Sequence, residues 1–563
     1  MRILVVSNFF PPFVVGGAEI VADRHARELQ RRGHDVFIVG GRVPAPGYPA
    51  GSMEPEDHNG LPIQRITLRS LDPDQSFRWP VLTRRLISLI LMHDIEVVHF
   101  HNIIGLGADC IQAVKELGLP CVVTLHDHWG FCLRQSLLRE NGTPCRHTEG
   151  CSVCLPGFVY DEDRLPVRLR RDYIAWCLEQ ADHLISPSSY LAKAYNRAGI
   201  ASGRIQVLSN GIDLGNIPQH DYSAQNAGNH PLRFLCSAYL GPHKGIDVLL
   251  EALSLLAEDP ELTGRWEMTL AGQGPLHQKA EKLALRKNIP LIVTGHLPRR
   301  QLLQDMARSD VVVLPSVWPE NEPVTLLEGG AAGAALLVSR SGGAADMVQD
   351  GDTGLTVPPG DAKALALAMR RFITEPGLAA RMGAKNLTRR SQFDETRTVT
   401  QLENIYSGKT EPDTTVSPRP VVILTGEGTA PDAIITLTDH LHDYLTLPAS
   451  FRLLRHDWVN AEAWENAQLL WLWNEKNALP VALNALRRNI PILAPAGIGL
   501  EDRIRTGAPV LLYRTPLEAL AHLQILLEKP GIRSYLADNA SVAADAVWSS
   551  PGESFALRAE QLD

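Results

Sequence analysis

The chain predicts an α/β protein of two doubly wound lobes with parallel sheets, followed by a third, smaller α/β domain. Three observations carry this. Strands rich in β-branched residues alternate with amphipathic stretches as far as residue 408, which is the rhythm of repeated βαβ units. That rhythm breaks at QHDYSAQNAGNHP (219–231), a polar, aperiodic stretch that reads as a connection between lobes. It restarts at residue 421, after the proline- and threonine-rich linker 409–420. At 563 residues the chain is too long for one core, so two or three domains are expected.

In the first lobe (1–215), RILVVSN reads as a strand, GAEIVADRHARELQRRG as an amphipathic helix and HDVFIVGG as the next strand. EVVHFHN (96–102), CVVTLHD (121–127), HLISPS (183–188) and RIQVLSNGID (204–213) continue the series. The second lobe (230–408) opens with LRFLCSAYL (232–240) and runs through EMTLAGQGP, LIVTGHL and VVVLPS. The third domain (421–540) opens with VVILTGEG, and 541–563 read as a tail. Within it, VALNALRRNIPILAPAGIGLEDRIRTGAPVLLY (481–513) runs parallel to TLLEGGAAGAALLVSRSGGAADMVQDGDTGLTV (325–357). Two readings stand: a degenerate internal repeat, or the ordinary likeness of any two βα units. In the repeat register Asn484 faces Glu328 and Lys476 faces Glu320, so the copy lacks both carboxylates. The composition of the linker implies that few contacts cross it, and truncation near residue 410 is expected to leave catalysis in the first two lobes.

Composition narrows the function. With 45% hydrophobic and 21% charged residues the chain reads as an ordinary globular protein, and a net charge of −9 argues against nucleic acid as a partner. MRILVVSNFFPP is not a secretory signal, and no run of 18 apolar residues occurs. A cytoplasmic location is expected.

The most informative segment is PSVWPENEPVTLLE (315–328). A buried strand, VVVLPS, ends in a loop, and a helix opens near Pro323; this places Glu320 in the crevice at the carboxyl end of a parallel sheet. Glu328, one and a half turns into that helix, reaches the same crevice. Two acceptor-only carboxylates suit a ligand rich in hydroxyls, and a nucleotide sugar offers hydroxyls on both sugar and ribose. A loop charge and a solvated helix residue are the alternative.

Glu320 and Glu328, followed by Gly342 and Gly343 with Asp346 and then GLTVPPGD (Gly354 to Asp361), resemble the donor-binding half of retaining GT-B glycosyltransferases of family four, the glycosyl transferases group 1. The resemblance covers about residues 1–408. It implies two Rossmann-like lobes with an interdomain cleft, and a last helix, 392–406 with Phe393 and Tyr406, crossing back onto the first lobe. It also assigns roles. Lys244, in SAYLGPHKGIDVLLEAL (237–253), matches the lysine of the diphosphate clamp, whereas Tyr239 stands where the family has an arginine. His243 or Arg340 is a candidate to compensate. His126, in VVTLHDHWG, resembles the active-site histidine, with Asp127 in support; His99, His101 and His128 read as structural. Gly16 and Gly17 match the first donor-contacting loop, where a helix N-terminus suits an oxyanion. Gly295 to Leu297 fall where the family's backbone holds the base, Asn321 beside Glu320 joins the donor site, and Asn210-Gly211-Ile212-Asp213 matches the turn before the hinge. His126, Lys244 and Glu320 are the implied catalytic residues.

Cys132, Cys145, Cys151 and Cys154 crowd into 23 residues. Such spacing favours a structural zinc, with buried unligated thiols or a redox pair as the other reading. No Asp-x-Asp motif supports a catalytic metal: Asp72-Pro73-Asp74 is isolated. Arg164, Arg168, Arg170 and Arg171 alternate with Leu165, Val167 and Leu169 and precede Tyr173 and Trp176, which suits either peripheral contact with anionic lipid or a solvated helix face. The sequence therefore reads as a retaining hexosyltransferase acting on a glycan or lipid-linked acceptor, in cell-surface polysaccharide synthesis. The alternative is a catalytically weak nucleotide-sugar-binding or scaffolding protein of the same fold, for which Tyr239 and the third domain speak.

Overall fold

The computed structural model describes residues 1–72, 75–139, 143, 145, 151, 154–155, 157–201, 203–221, 230–409, 421–426, 430–439, 451–473, 478–496, 510–528 and 530–538. Lys476, residues 222–229 of the expected connection, residues 410–420 of the linker and the 541–563 tail lie outside them. The chain divides into two compact units, residues 1–146 with 177–414 and residues 147–176 with 415–563.

The first unit holds two sheets. The amino-terminal one is built from β1 (Arg2–Ser7), β2 (Asp35–Arg42), β3 (Met53–His58), β4 (Leu61–Thr67), β5 (Val97–Phe100) and β6 (Cys121–Thr124). After β7 (Phe158–Tyr160) and β8 (Asp163–Leu165), which belong to the second unit, β9 (His183–Ser186) and β10 (Ile205–Val207) complete it. Its order is β10-β9-β6-β5-β1-β2-β4-β3, parallel except where β3 pairs antiparallel with β4. Apolar residues such as Ile3, Val5, Val97, Val122 and Ile185 are buried, as a parallel sheet covered on both faces requires. Helix α1 (Gly17–Arg31) packs Ala22, Ala26 and Leu29 into the same core.

The second sheet runs β13-β12-β11-β14-β15-β16, with β11 (Leu232–Ser237), β12 (Trp266–Ala271), β13 (Leu291–Gly295), β14 (Val311–Leu314), β15 (Ala335–Ser339) and β16 (Gly354–Val357) all parallel. The strand order reverses between β11 and β14, the position where α/β sheets open a ligand crevice. Two crossings join the lobes. Ile212 pairs with Asp394 and donates its amide to Phe393 O at 2.7 Å. The last helix of the unit, Glu395–Tyr406, capped by Asp394 on the Thr396 amide, then buries Val399, Leu402, Ile405 and Tyr406 among the residues of the amino-terminal core. This is the return crossing that the sequence implies.

The second unit holds β17 (Val421–Thr425), β18 (Arg452–Arg455), β19 (Ala467–Leu472), β20 (Ile492–Pro495) and β21 (Val510–Tyr513), in parallel order β18-β17-β19-β20-β21. This is the order of the second lobe with the strand equivalent to β13 missing. Val311, Ala335 and Gly354 open consecutive strands there, and Ala467, Ile492 and Val510 open consecutive strands here at nearly the same spacing. Asn484 lies in the helix between β19 and β20 and accepts from Arg488 Nε at 3.2 Å. At the carboxyl end of β17, a Cβ on Gly426 would come within 2.3 Å of the Trp473 ring. The Trp473 indole therefore packs directly on the backbone at this end of the strand.

Residues 147–176 cluster with the third domain instead of the first lobe. Trp458 packs on Phe158, Tyr160 and Tyr173, the Leu453 amide donates to Asp172 at 2.9 Å, and the Arg168 amide donates to Asp439 at 3.1 Å. The linker composition carries no trace of these contacts because their partner segment lies some 250 residues upstream of the domain. The arginine-rich segment, for which lipid contact and a solvated face are the two readings, packs within this second unit. Leu169 and Tyr173 are fully buried and Arg170 is 5% exposed, while Arg168 pairs with Asp172 at 3.0 Å and lies 4.5 Å from the Phe451 ring. Among the described residues no helix is long and apolar enough to cross a membrane.

Candidate active site

The cleft between the two lobes gathers the sequence-predicted residues from both sides. On the carboxyl side, β14 ends at Leu314 and Pro315, and Ser316 and Glu320 sit in the loop before helix Val324–Ala332. Lys244 Nζ donates to Glu320 Oε1 at 2.6 Å, and Ser316 Oγ donates to the same oxygen at 2.6 Å. Lys244 can reach because the chain turns at Gly245, with φ +68°, where a Cβ would stand 1.9 Å from Pro315 O; only glycine permits this approach. The ammonium also lies 4.7 Å from the Trp318 ring centroid. Gly342 and Gly343 serve the same loop: their Cβ positions would fall 2.1 Å from Glu320 O and 1.9 Å from Asn321 O, and the Gly343 amide donates to Glu320 O at 2.6 Å. The paired glycines are thus what holds Glu320 in place.

On the amino side, His126 follows β6. Its carbonyl accepts Asn321 Nδ2 from the opposite lobe at 2.6 Å, so Asn321 ties histidine and Glu320 loop together. Burial, reinforced by the His25 charge, lowers the His126 imidazole to about 3 and keeps it neutral near pH 7. Asp127 accepts from the Trp129 amide at 2.7 Å and from Asn102 Nδ2 at 2.9 Å. Burial, with a further push from Glu19, raises it to about 7. Gly16 and Gly17 start α1 in an exposed loop, and a Cβ on Gly17 would sit 3.7 Å from Val324 Cγ2. Two helix N-termini, at Gly17 and at Val324, therefore converge at the cleft, each a favourable place for an anion.

Glu328 is 2% exposed. Its Oε1 accepts Arg24 Nη2 from α1 at 3.1 Å and also a guanidinium N–H of Arg299. Gly295 ends β13 at φ +69° beside Gln273, and Leu297 packs against the core that includes Leu303 and Leu327. Asp346 accepts Ser189 Oγ across the cleft at 2.9 Å. Tyr239 is 54% exposed and stacks on His243, with ring centroids 5.8 Å apart. Arg340 instead turns toward Thr356.

Sequence reasoning missed Arg24, Arg299, Ser316, Glu19 and Glu322. Glu322 accepts the Asn210 amide at 2.7 Å, which links the cleft loop to the turn before the hinge, and burial raises its carboxyl to about 7. Local signals for these residues are weak, since an arginine on an amphipathic helix looks like any solvated one. Of the supposed structural histidines, His99 does bridge β5 to β6, through Thr124, and to the last helix of the unit, through Tyr406. Among the described residues no three His, Cys, Asp or Glu side chains gather as a metal site, and much of 140–156, the stretch that joins the four cysteines of the expected zinc site, lies outside them. Cys132 and Cys145 belong to the first unit and Cys151 and Cys154 to the second, and none of the four is in a disulfide.

Residues 15–216 match the model of Glycosyltransferase Family 4, and residues 221–389 that of Glycosyl transferases group 1. The chain is 27% identical over 432 residues to a glycogen synthase of Mycobacterium tuberculosis, covering 72% of this chain and 94% of that one. It is 28% identical over 403 residues to a GDP-mannose-dependent alpha-(1-6)-phosphatidylinositol monomannoside mannosyltransferase of Mycolicibacterium smegmatis, covering 68% and 91%. Among solved structures, sucrose-phosphate synthase from Thermosynechococcus elongatus superposes with a TM-score of 0.54 at 20% identity, over 72% of this chain and 98% of that one. Trehalose-6-phosphate synthase OtsA gives 0.53 at 17% identity, over 74% and 100%.

Proposed function

The chain belongs to the family-four glycosyltransferases with the GT-B fold and is a hexosyltransferase of that type; from this premise we propose that it moves a hexose from a nucleotide sugar to a glycan or lipid-linked acceptor with retention at the anomeric carbon. The observation that carries the reading is the contact of Lys244 with Glu320 at 2.6 Å, tied through Asn321 to His126 on the opposite lobe. A cation, a carboxylate and a neutral imidazole then border one crevice, with two helix N-termini aimed into it.

In the proposed reaction the bond from the anomeric carbon to the diphosphate oxygen breaks and the diphosphate leaves with the electron pair. The acceptor hydroxyl bonds to that carbon from the same face, and its proton passes to the departing diphosphate. Lys244 stabilises the charge that grows on the diphosphate, and the converging helix N-termini add to it, a preorganised electrostatic contribution. Glu320 accepts hydroxyls of the sugar and Glu328 those of the ribose. Gly295 and Leu297 border the base. No cofactor enters this scheme. Relatives whose names specify a glycan product and a phosphatidylinositol-linked acceptor support both acceptor classes.

Thermal-shift screening against UDP-, GDP- and ADP-sugars identifies the donor, and NMR of the product anomer reads the stereochemistry. An inverted product would refute retention. For Lys244→Ala we expect kcat to fall about tenfold or more with a smaller change in donor affinity, because charge on the diphosphate grows as the bond breaks; a variant that loses affinity alone contradicts the role. Tyr239, exposed where a second cation is expected, favours the scaffolding reading, which gains if a bound nucleotide sugar is neither transferred nor hydrolysed.

A further inference from the structure

His126 does not stand alone at the wall of the cleft. Its Nε2 lies 2.9 Å from Nδ1 of His101, and the two rings stack with centroids 5.1 Å apart and an interplanar angle of 17°. His101 is fully buried, and its other ring nitrogen, Nε2, is buried with no hydrogen-bond partner. No described residue makes a hydrogen bond with it. The His99 ring, 4.4 Å away, is engaged at both nitrogens, with Tyr406 Oη at 2.6 Å and Thr124 Oγ1 at 2.8 Å. The His25 ring, 6.0 Å away, donates to Asn210 O through Nε2 at 2.8 Å, and its Nδ1 is likewise buried and makes no hydrogen bond, to His101 or to any other described residue. Burial holds both His99 and His101 well below the ordinary histidine value, so His101 is a neutral ring with a single N–H.

In the contact between His101 and His126, one ring donates and the other accepts. If His101 accepted at Nδ1, its only N–H would sit at Nε2, buried without an acceptor. An unmade buried donor costs about 1–3 kcal/mol. If His101 donates from Nδ1, the group left over at Nε2 is a lone pair, the less costly of the two to orphan. His126 then accepts at Nε2 and carries its own proton on Nδ1. That Nδ1 makes no hydrogen bond to the protein and is not among the buried unpartnered atoms, which leaves it open to a ligand.

We infer that His101 is a positioning residue for the transfer: its Nδ1–H fixes His126 as the Nδ1–H tautomer, so that His126 presents a hydrogen-bond donor, not an acceptor, to a hydroxyl of the transferred hexose. This rests on the proposed function for the identity of the ligand, though not for the tautomer. A sugar hydroxyl that accepts from His126 keeps its own proton free for Glu320, an acceptor-only group. Selection of the sugar by its hydroxyl pattern then depends on a histidine that never touches it.

Nitrogen-15 NMR of histidine-labelled full-length protein, with His126 assigned by its loss in His126→Gln, reads the tautomer without turnover. A protonated-type Nδ1 and an unprotonated-type Nε2 are expected; the reverse pattern overturns the inference. His101→Asn keeps an amide donor near the place of Nδ1, and His101→Phe keeps bulk without a donor. We expect kcat/KM for the nucleotide sugar to fall about tenfold in His101→Phe and to recover to within about threefold in His101→Asn. Affinity for the nucleoside diphosphate without its sugar should be unchanged in both. Wild-type kcat/KM in His101→Phe, or an equal loss of affinity for the bare nucleotide, refutes the positioning role. If His101→Phe fails to fold, the wild-type tautomer decides alone. Absence of transfer by the wild type counts against the proposed reaction, which the tautomer measurement does not involve.

Discussion

Glu328 illustrates how a site residue differs from its sequence reading. The spacing from Glu320 identifies it as a crevice carboxylate, but its Oε1 is engaged by Arg24 and Arg299, which leaves Oε2 for a ligand. In Glu328→Gln, both guanidiniums lose their counter-charge at a residue that is 2% exposed. We expect transfer to fall roughly ten- to a hundredfold and stability to fall by about 1–3 kcal/mol, the cost of hydrogen bonds to a charged group; urea unfolding with unchanged stability would show that the arginines are indifferent to the charge. His25 offers a second test. Burial lowers it to about 4, so between pH 6.5 and 4 the unfolded chain binds a proton that the native state refuses. Its stabilising contribution is complete above pH 6.5 and is lost as pH falls. Asp127 and Glu322, raised to about 7 by burial, act with the opposite sign and lose stability as pH rises toward 7. His25→Gln, which retains a donor for Asn210 O, isolates the histidine. Between pH 7 and pH 5 the wild type should lose about 2 kcal/mol more stability than this variant, and equal losses would rule His25 out as an acid-sensitive group.

At the scale of elements, the βα rhythm was legible because buried parallel strands are continuously apolar and their helices are not. The hairpin of β3 and β4 was not read from the sequence, although Asn59 and Gly60, at φ +53° and +84°, form the Asn-Gly turn that marks a tight hairpin. The edge strand β3, MEPEDH, is largely polar and lacks the apolar run that marks a buried strand, whereas β4 lies between β2 and β3. Turn glycines, by contrast, divide clearly once the structure shows what surrounds them. Gly245 and Gly264 have nearly equal φ, +68° and +71°, but a Cβ meets Pro315 O at 1.9 Å at the first and nothing within 4 Å at the second. Gly264→Ala should cost only the backbone preference, about 1 kcal/mol. Gly245→Ala should in addition displace the loop carrying Glu320 and reduce transfer by at least about tenfold. Equal effects of the two substitutions on activity would separate Gly245 from the site.

For the whole molecule, the unit formed by residues 147–176 and 415–563 changes what truncation means. A chain ending at residue 414 loses Trp458, Phe451 and Asp439, against which Tyr160, Tyr173 and Arg168 are packed or bonded. It is expected to bind an apolar dye and to unfold at lower temperature than the full chain, because aromatic surface of the 147–176 segment is left bare. Co-expression of residues 415–563 with it should restore the full-length transition. A truncated chain as stable as the full one would show that the segment needs no partner.

The residues that determined the fold class and the main site by themselves are those whose meaning is local. Apolar strands followed by amphipathic helices specify a parallel sheet, and Glu320 and Glu328 lie where such a sheet opens a crevice, whereas Lys244 and His126 are assigned by the family resemblance. The tertiary structure alone decided which groups meet across it. Arg24 and Glu328 are separated by 304 positions, and Asn321 and the His126 carbonyl by 195; no periodicity or spacing encodes such pairs. The same holds for His101, whose buried neighbours set its proton, and for Tyr173, whose partner Trp458 lies in a different domain of the sequence. Local patterns are written by backbone hydrogen bonding and burial, which act within an element, whereas a proton's position and a cross-lobe ion pair depend on neighbours that only the folded chain brings within a few ångströms.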